Sequence, residues 1–138
     1  RKSKNFNVSL SYNYTDTYDG ADCDDPNVGS GSCIDEAMVR VPRHASNIDF
    51  NLNTRNNFKN TLSFKYNGEV RDYGNANNSF KDVILDEYVL VNYSLKRNIY
   101  NNGLIYMQIN NIFNNGYEHA YMYSSMDRNV NLGLRRSF

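Results

Sequence analysis

Six segments of this chain alternate apolar and polar residues at every second position. The last reads Arg128-Asn-Val-Asn-Leu-Gly-Leu-Arg-Arg-Ser-Phe138. In it Val130, Leu132, Leu134 and Phe138 fall on one face, and Asn129, Asn131, Gly133, Arg135 and Ser137 on the other. A period of two belongs to a β-strand. Apolar residues on one side only mean that one face meets an oily medium while the other meets water or a polar interior.

The same reading predicts a first strand from about Asn5 to Thr15, with Phe6, Val8, Leu10, Tyr12 and Tyr14 on the apolar side and Asn7, Ser9, Ser11 and Asn13 opposite. A second, about His44 to Thr54, turns Ile48, Phe50 and Leu52 one way and Asn47, Asp49, Asn51 and Asn53 the other. The third, about Lys59 to Asp72, carries Leu62, Phe64 and Tyr66 on its apolar side. The fourth, about Val83 to Lys96, carries Val89, Val91, Tyr93 and Leu95, and the fifth, about Leu104 to Phe113, carries Ile105, Met107 and Ile109. A long polar loop follows the first strand, a medium loop through Gly74-Asn-Ala-Asn-Asn-Ser79 follows the third, and a long connection precedes the last. Arg55 to Phe58 and Arg97 to Gly103 are short turns, so the connections run long, short, long, short, long.

Composition separates the oily media that could be meant. A soluble sandwich hides its apolar stripes in a shared core and carries Lys and Glu outside, whereas the face opposite the stripe here is mostly Asn, Ser and Thr. A mean hydropathy of -0.72 does not argue against lipid, because a membrane strand gives lipid only alternate residues. No apolar run approaches about 18 residues, which excludes a membrane helix. A net charge of zero argues against nucleic acid as a partner. The abundance of Asn reads as genomic base bias without functional weight. Strands of about 10 residues tilted near 45° span about 23 to 25 Å, the height of the apolar band of a transmembrane β-barrel, and such barrels pair long outer loops with tight periplasmic turns.

Six strands are too few to close a barrel, and an open edge in hydrocarbon would leave amides unsatisfied. The sequence also opens on Arg1-Lys-Ser-Lys4 with no export signal. The expectation is therefore an all-β, antiparallel up-and-down meander of about six strands. Residues 1–138 would form a single unit, the C-terminal part of a larger transmembrane barrel whose earlier strands lie upstream.

Three stretches resemble the TonB-dependent outer-membrane receptors, plugged barrels that import cobalamin, ferric siderophores and similar scarce ligands. Asn111-Ile-Phe-Asn-Asn-Gly-Tyr-Glu118 resembles the family's Asn-Leu-Phe-Asp-x-x-Tyr-Glu segment at the top of the penultimate strand. Arg40-Val-Pro-Arg-His44 is similar to the Arg-x-Pro-x-His start of a downward strand. Val130 to Phe138 resembles the assembly signal of outer-membrane proteins in general: Asn131, Gly133 and Phe138 fit it, and Arg136 replaces its first aromatic. Where the family approaches its last strand through Pro-Gly-Arg, this chain has Ser125-Met-Asp-Arg128, and only Arg128 carries over. The resemblance implies the last six of 22 strands, a bacterial outer-membrane location and energy-coupled uptake. Its implied partners are outer-membrane lipid, the barrel-assembly machinery, and a plug domain that reaches TonB through upstream segments.

The candidate site residues follow from compartment and loop chemistry. Cys23 and Cys33 lie in the first loop, on the exported, oxidising side, which favours a disulfide over a metal pair or a reactive thiol. Asp16, Asp19, Asp22, Asp24, Asp25, Asp35 and Glu36 surround them with oxygen donors of the kind calcium uses. Their spacing does not reproduce an EF-hand loop, so they read as a solvated acidic segment. The last connection offers Tyr117, His119, Tyr121 and Tyr123, with Met122 and Met126, as ligand contacts, because an aromatic with a polar tip supplies rigid area and a hydrogen bond together. The bland alternative for the same tyrosines is a girdle at headgroup level. His44 and His119 belong to different loop ends, and no nucleophile, base and orienting carboxylate share a spacing, so neither an enzyme nor a cofactor is expected. His44 reads as the start of a strand, Glu69, Arg71 and Asp72 as exposed rim ion pairs, and Lys65, Asp49 and Arg135 as lumen charges facing a plug. Competing readings are another outer-membrane channel such as a porin or lipid transporter, an outer-membrane enzyme, and a soluble β-sandwich or adhesin.

Overall fold

The computed structural model describes residues 5–19, 36–54, 56–76, 79–99 and 102–136, among which there is no helix. Cys23, Cys33 and Phe138 lie outside them. The strands are β1 (Asn5–Tyr14), β2 (Tyr18–Asp19), β3 (Glu36–Ala37), β4 (His44–Asn53), β5 (Phe58–Asn67), β6 (Val70–Ala76), β7 (Ser79–Leu85), β8 (Tyr88–Ile99), β9 (Gly103–Asn110), β10 (Glu118–Ala120), β11 (Tyr123–Ser124) and β12 (Asn129–Arg136). Six of them form one antiparallel sheet in the order β1-β4-β5-β8-β9-β12, so every strand lies beside its predecessor in the meander. The sheet is open, with β1 and β12 at its edges.

Register carries the alternation across all six strands. Val8, Phe50, Leu62, Tyr93, Ile109 and Val130 form one continuous cross-strand row, and Leu10, Ile48, Phe64 and Val91 form the next. Directly paired residues point to the same face of a pleated sheet, so the apolar residues of the predicted stripe share one surface. Ser46 and Arg97 fall on that surface near its two ends, and Asn60 interrupts it in the row Phe6, Leu52, Asn60, Leu95, Met107 and Leu132. Its side-chain amide is satisfied within the face: Asn60 Nδ2 donates to the Leu52 carbonyl at 3.2 Å, and the Tyr93 hydroxyl donates to Asn60 Oδ1 at 2.7 Å. The opposite face reads Asn7, Asn51, Thr61, Ser94, Gln108 and Asn131 in a single row. Thr61 Oγ1 donates to Asn51 Oδ1 at 2.8 Å there, and in the neighbouring row Ser63 donates to Asp49.

The sheet is one layer for most of its height. Phe6 is 62% exposed and Leu132 74%, with Leu10 and Leu134 similarly open. Among the described residues the deeply buried side chains, Val70, Leu85, Tyr88, Leu90, Val91, Asp72 and Asn111, gather at the end that carries the long connections. The predicted third strand divides at this end. Gly68 N donates to the His44 carbonyl at 2.8 Å, and a Cβ at position 68 would stand 2.9 Å from that oxygen, so a side chain there would collide with the backbone. Beyond Gly68 the chain leaves β4 and continues as β6, which pairs with β7 from Val70↔Leu85 to Ala76↔Ser79. The stretch read as a medium loop is therefore the tip of a hairpin, and β2/β3 and β10/β11 are smaller hairpins in the other two long connections.

Asn has a structural use that composition alone does not reveal. Asn57 and Asn102 in the short turns, and Asn111 and Asn114 after β9, all hold positive φ between 53° and 62°. Asn tolerates this left-handed conformation better than other side chains because its short amide bonds to local backbone. At these positions the base-bias reading is replaced by a requirement of the turns.

Candidate functional site

The long-connection end is where chemically useful side chains converge, and the segment Asn111 to Glu118 builds its floor. Asn111 is buried, and its side chain closes the turn in both directions: Nδ2 donates to the Asn115 carbonyl at 2.8 Å, and Oδ1 accepts from Asn115 N at 3.0 Å. Its backbone N–H donates to Asn92 Oδ1 at 2.9 Å. Beyond the end of β9 the carbonyls of β8 find partners in this turn, Val91 from Ile112 N at 2.8 Å and Val89 from Asn115 Nδ2 at 3.1 Å. Arg128 joins it from the far side, its N–H donating to Asn114 Oδ1 at 2.8 Å and its Nη1 to the Ile112 carbonyl at 3.4 Å. The segment works as a backbone cap that aims the following aromatics over the polar face.

Two of the sequence-predicted ligand residues meet there. The Tyr117 and His119 rings are 4.9 Å apart at 89°, and both contact Tyr88, at 4.6 Å and 5.6 Å. The Tyr88 hydroxyl and His119 Nδ1 share a hydrogen bond of 2.9 Å. Tyr121 is held elsewhere, against Gly74, where an added Cβ would stand 3.0 Å from its ring. Tyr123, Met122 and Met126 are more than two-thirds exposed and join neither group. His44 opens β4 as its position predicts, hydrogen-bonds the Tyr12 hydroxyl through Nδ1 at 2.8 Å, and packs its ring against Tyr14 at 5.4 Å on the apolar side.

The reading of Asp72 as half of an exposed rim pair is corrected by its burial, since it is 1% exposed. Oδ1 accepts from its neighbour Tyr73 N at 2.8 Å and from Arg40 Nε at 3.0 Å, and Oδ2 accepts from Tyr121 N at 2.7 Å. Burial by itself pushes the carboxyl up, but the Tyr121 and Tyr73 amides and the Arg40 guanidinium outweigh it and hold it below its ordinary value. Arg40 also donates its backbone N–H to the Arg71 carbonyl at 2.8 Å. One carboxylate thus ties the segment before β4, the β6/β7 hairpin and the β10/β11 turn together.

Between the last two of these hairpins lies a cleft of about 520 Å³. Tyr88, Tyr117 and Tyr121 line it, together with Asp86, Glu87, Glu118 and Asp127. Tyr88, Asp86 and Glu87 were not singled out from the sequence, yet a signal was there. Tyr88 and Leu90 put apolar residues on the face that is polar elsewhere, the mark of a face covered at this end, and both are buried. Among the described residues, no three His, Cys, Asp or Glu side chains converge in a way that could hold a metal ion. No protein-family model and no curated protein matches the chain.

Proposed function

We propose that this chain is the C-terminal segment of a 22-stranded TonB-dependent receptor in the bacterial outer membrane, which takes up a scarce ligand of the kind that cobalamin and ferric siderophores exemplify. The observation that carries the reading is the uncovered apolar face: continuous rows of Val, Leu, Ile, Phe and Tyr on a single-layer open sheet, with Asn, Ser, Thr and Gln behind. Lipid satisfies such a face, and further strands satisfy the edges of β1 and β12. The alternation of hairpin-bearing connections with tight turns, and the Asn111–Glu118 cap with Arg128 against it, support the same assignment. In this role the segment completes the barrel wall, presents three outer connections to the ligand, and delivers the assembly signal of Asn131, Gly133 and Phe138. Lys65, Asp49 and Arg135 face the plug.

The test is expression of the full-length reading frame with its export signal. Expected are outer-membrane fractionation, heat-modifiable mobility on a gel, reduced insertion when Phe138 is deleted, and ligand uptake that disappears without TonB. A folded barrel whose upstream sequence lacks a plug of domain size would reassign the segment to a channel. A soluble product with a second sheet over the apolar rows would overturn the membrane reading.

A further inference from the structure

We infer that the cleft between the β6/β7 and β10/β11 hairpins selects an organic cation of small-molecule size, an assignment that rests on the receptor reading above and names its ligand class. Three independent observations lead to it. The cleft volume of about 520 Å³ suits a small organic molecule rather than a bare ion or a polypeptide. Its wall carries the phenol rings of Tyr88, Tyr117 and Tyr121, aromatic area of the kind that favours the body of an organic cation.

The third observation is charge. Asp86, Glu87, Glu118 and Asp127 line the cleft, and no Lys, Arg or His does so among the described residues. The described arginines at this end are engaged elsewhere: Arg40 with Asp72, Arg43 with Asp16 at 3.5 Å, Arg71 over the Tyr73 ring at 5.3 Å, and Arg128 with the Asn111 turn. The imbalance extends beyond the cleft. Among the residues whose side chains are described, Asp16, Glu69, Asp72, Asp86, Glu87, Glu118 and Asp127 outnumber Arg40, Arg43, Arg71 and Arg128 at the long-connection end, whereas Lys59, Lys96, Arg97, Arg135 and Arg136 lie toward the short turns with no acidic residue beside them. A chain of zero net charge is thereby polarised along its strands, and its outer end attracts cations toward the cleft and repels anions from it. The described carboxylates do not converge on one point as metal ligands would, so they act as a field around a larger body. An anionic ferric chelate does not suit this wall.

The test uses two dyes that share a xanthene framework and differ in charge, rhodamine 6G as the cation and fluorescein as the anion. Each is titrated by fluorescence anisotropy into the purified full-length protein in a neutral detergent. Rhodamine 6G is expected to bind, more weakly as salt rises, and fluorescein not to bind. Glu118→Gln with Asp127→Asn should weaken rhodamine 6G about fivefold, the loss of two partly solvated charge contacts. Tyr117→Leu should weaken it without changing the salt dependence. Unaltered heat-modifiable mobility in each variant excludes misfolding as the cause. Equal binding of the two dyes, no binding of rhodamine 6G, or unchanged affinity in the double charge variant would overturn the inference. Loss of TonB-dependent uptake with dye selectivity intact would instead remove the receptor reading and leave the cleft's preference standing.

Discussion

Replacing Asp72 by Ala isolates the carboxylate that joins the three long connections. Removing it leaves the Tyr121 N–H without its acceptor, and an orphaned donor costs about 1 to 3 kcal/mol. Arg40 contributes less, because its side chain is 57% exposed and returns to water, as exposed pairs worth about 0 to 1 kcal/mol do. The Tyr73 amide is adjacent in sequence and finds solvent readily. Together these give about 1 to 4 kcal/mol, borne by the docking of the β10/β11 turn on the β6/β7 hairpin rather than by the sheet. Amide hydrogen exchange reads this directly. Tyr121 should open about 5- to 1,000-fold more often in Asp72→Ala, while the amides of β4, β5 and β8 keep their protection. The pH dependence has a definite sign. Because the folded carboxyl lies below its ordinary value of 3.8, its contribution is complete above that pH and disappears only as acid titrates the folded state. Wild type should therefore lose Tyr121 protection in acid below about that value, and Asp72→Ala should lack this transition. An unchanged Tyr121 exchange rate in the variant at neutral pH would refute the reasoning.

Three further perturbations test other parts of the structure. A Cβ at Gly133 would overlap the end of the Tyr106 ring that lies across it, so Gly133→Ala should destabilise the last hairpin by about 1 to 3 kcal/mol. Adding Tyr106→Ala should relieve most of that loss in a denaturant titration, and an additive double variant would count against the contact. Leu132→Arg places a charge at an exposed position of the apolar face, and the lipid assignment predicts a loss of roughly 2 to 4 kcal/mol if it lies near the bilayer midplane, read by unfolding in lipid vesicles. A neutral result would indicate water on that side. Under the proposed receptor role, exchanging Cys23 and Cys33 together for Ser should leave barrel insertion intact and raise protease sensitivity of the first long connection only. A collapse of insertion would show that the pair does more than brace a loop, and their Cα atoms should stand about 4.4 to 6.8 Å apart if bonded.

The sequence by itself determined which residues share a face and how many strands meander, because side-chain alternation is a property of neighbours two positions apart. Phe6, Val8 and Leu10 declare their side without knowing what they pair with. The opening of β4 at His44 was legible for the same local reason, whereas the turn read from Arg97 to Gly103 is shorter, because β8 runs on to Ile99 and pairs it with Gly103. Tertiary structure alone decided the rest. Asp72 and Tyr121 are 49 positions apart, Arg40 and Asp72 32, and Tyr88 and His119 31, and no local period records such distances. Whether a carboxylate stands in water as half of a rim pair or is buried as the joint of three segments depends on which connections fold over it. That is settled by the height at which β5 gives way to a hairpin. Gly68 fixes this height, through a close approach to the His44 carbonyl that becomes visible only when the two strands are side by side.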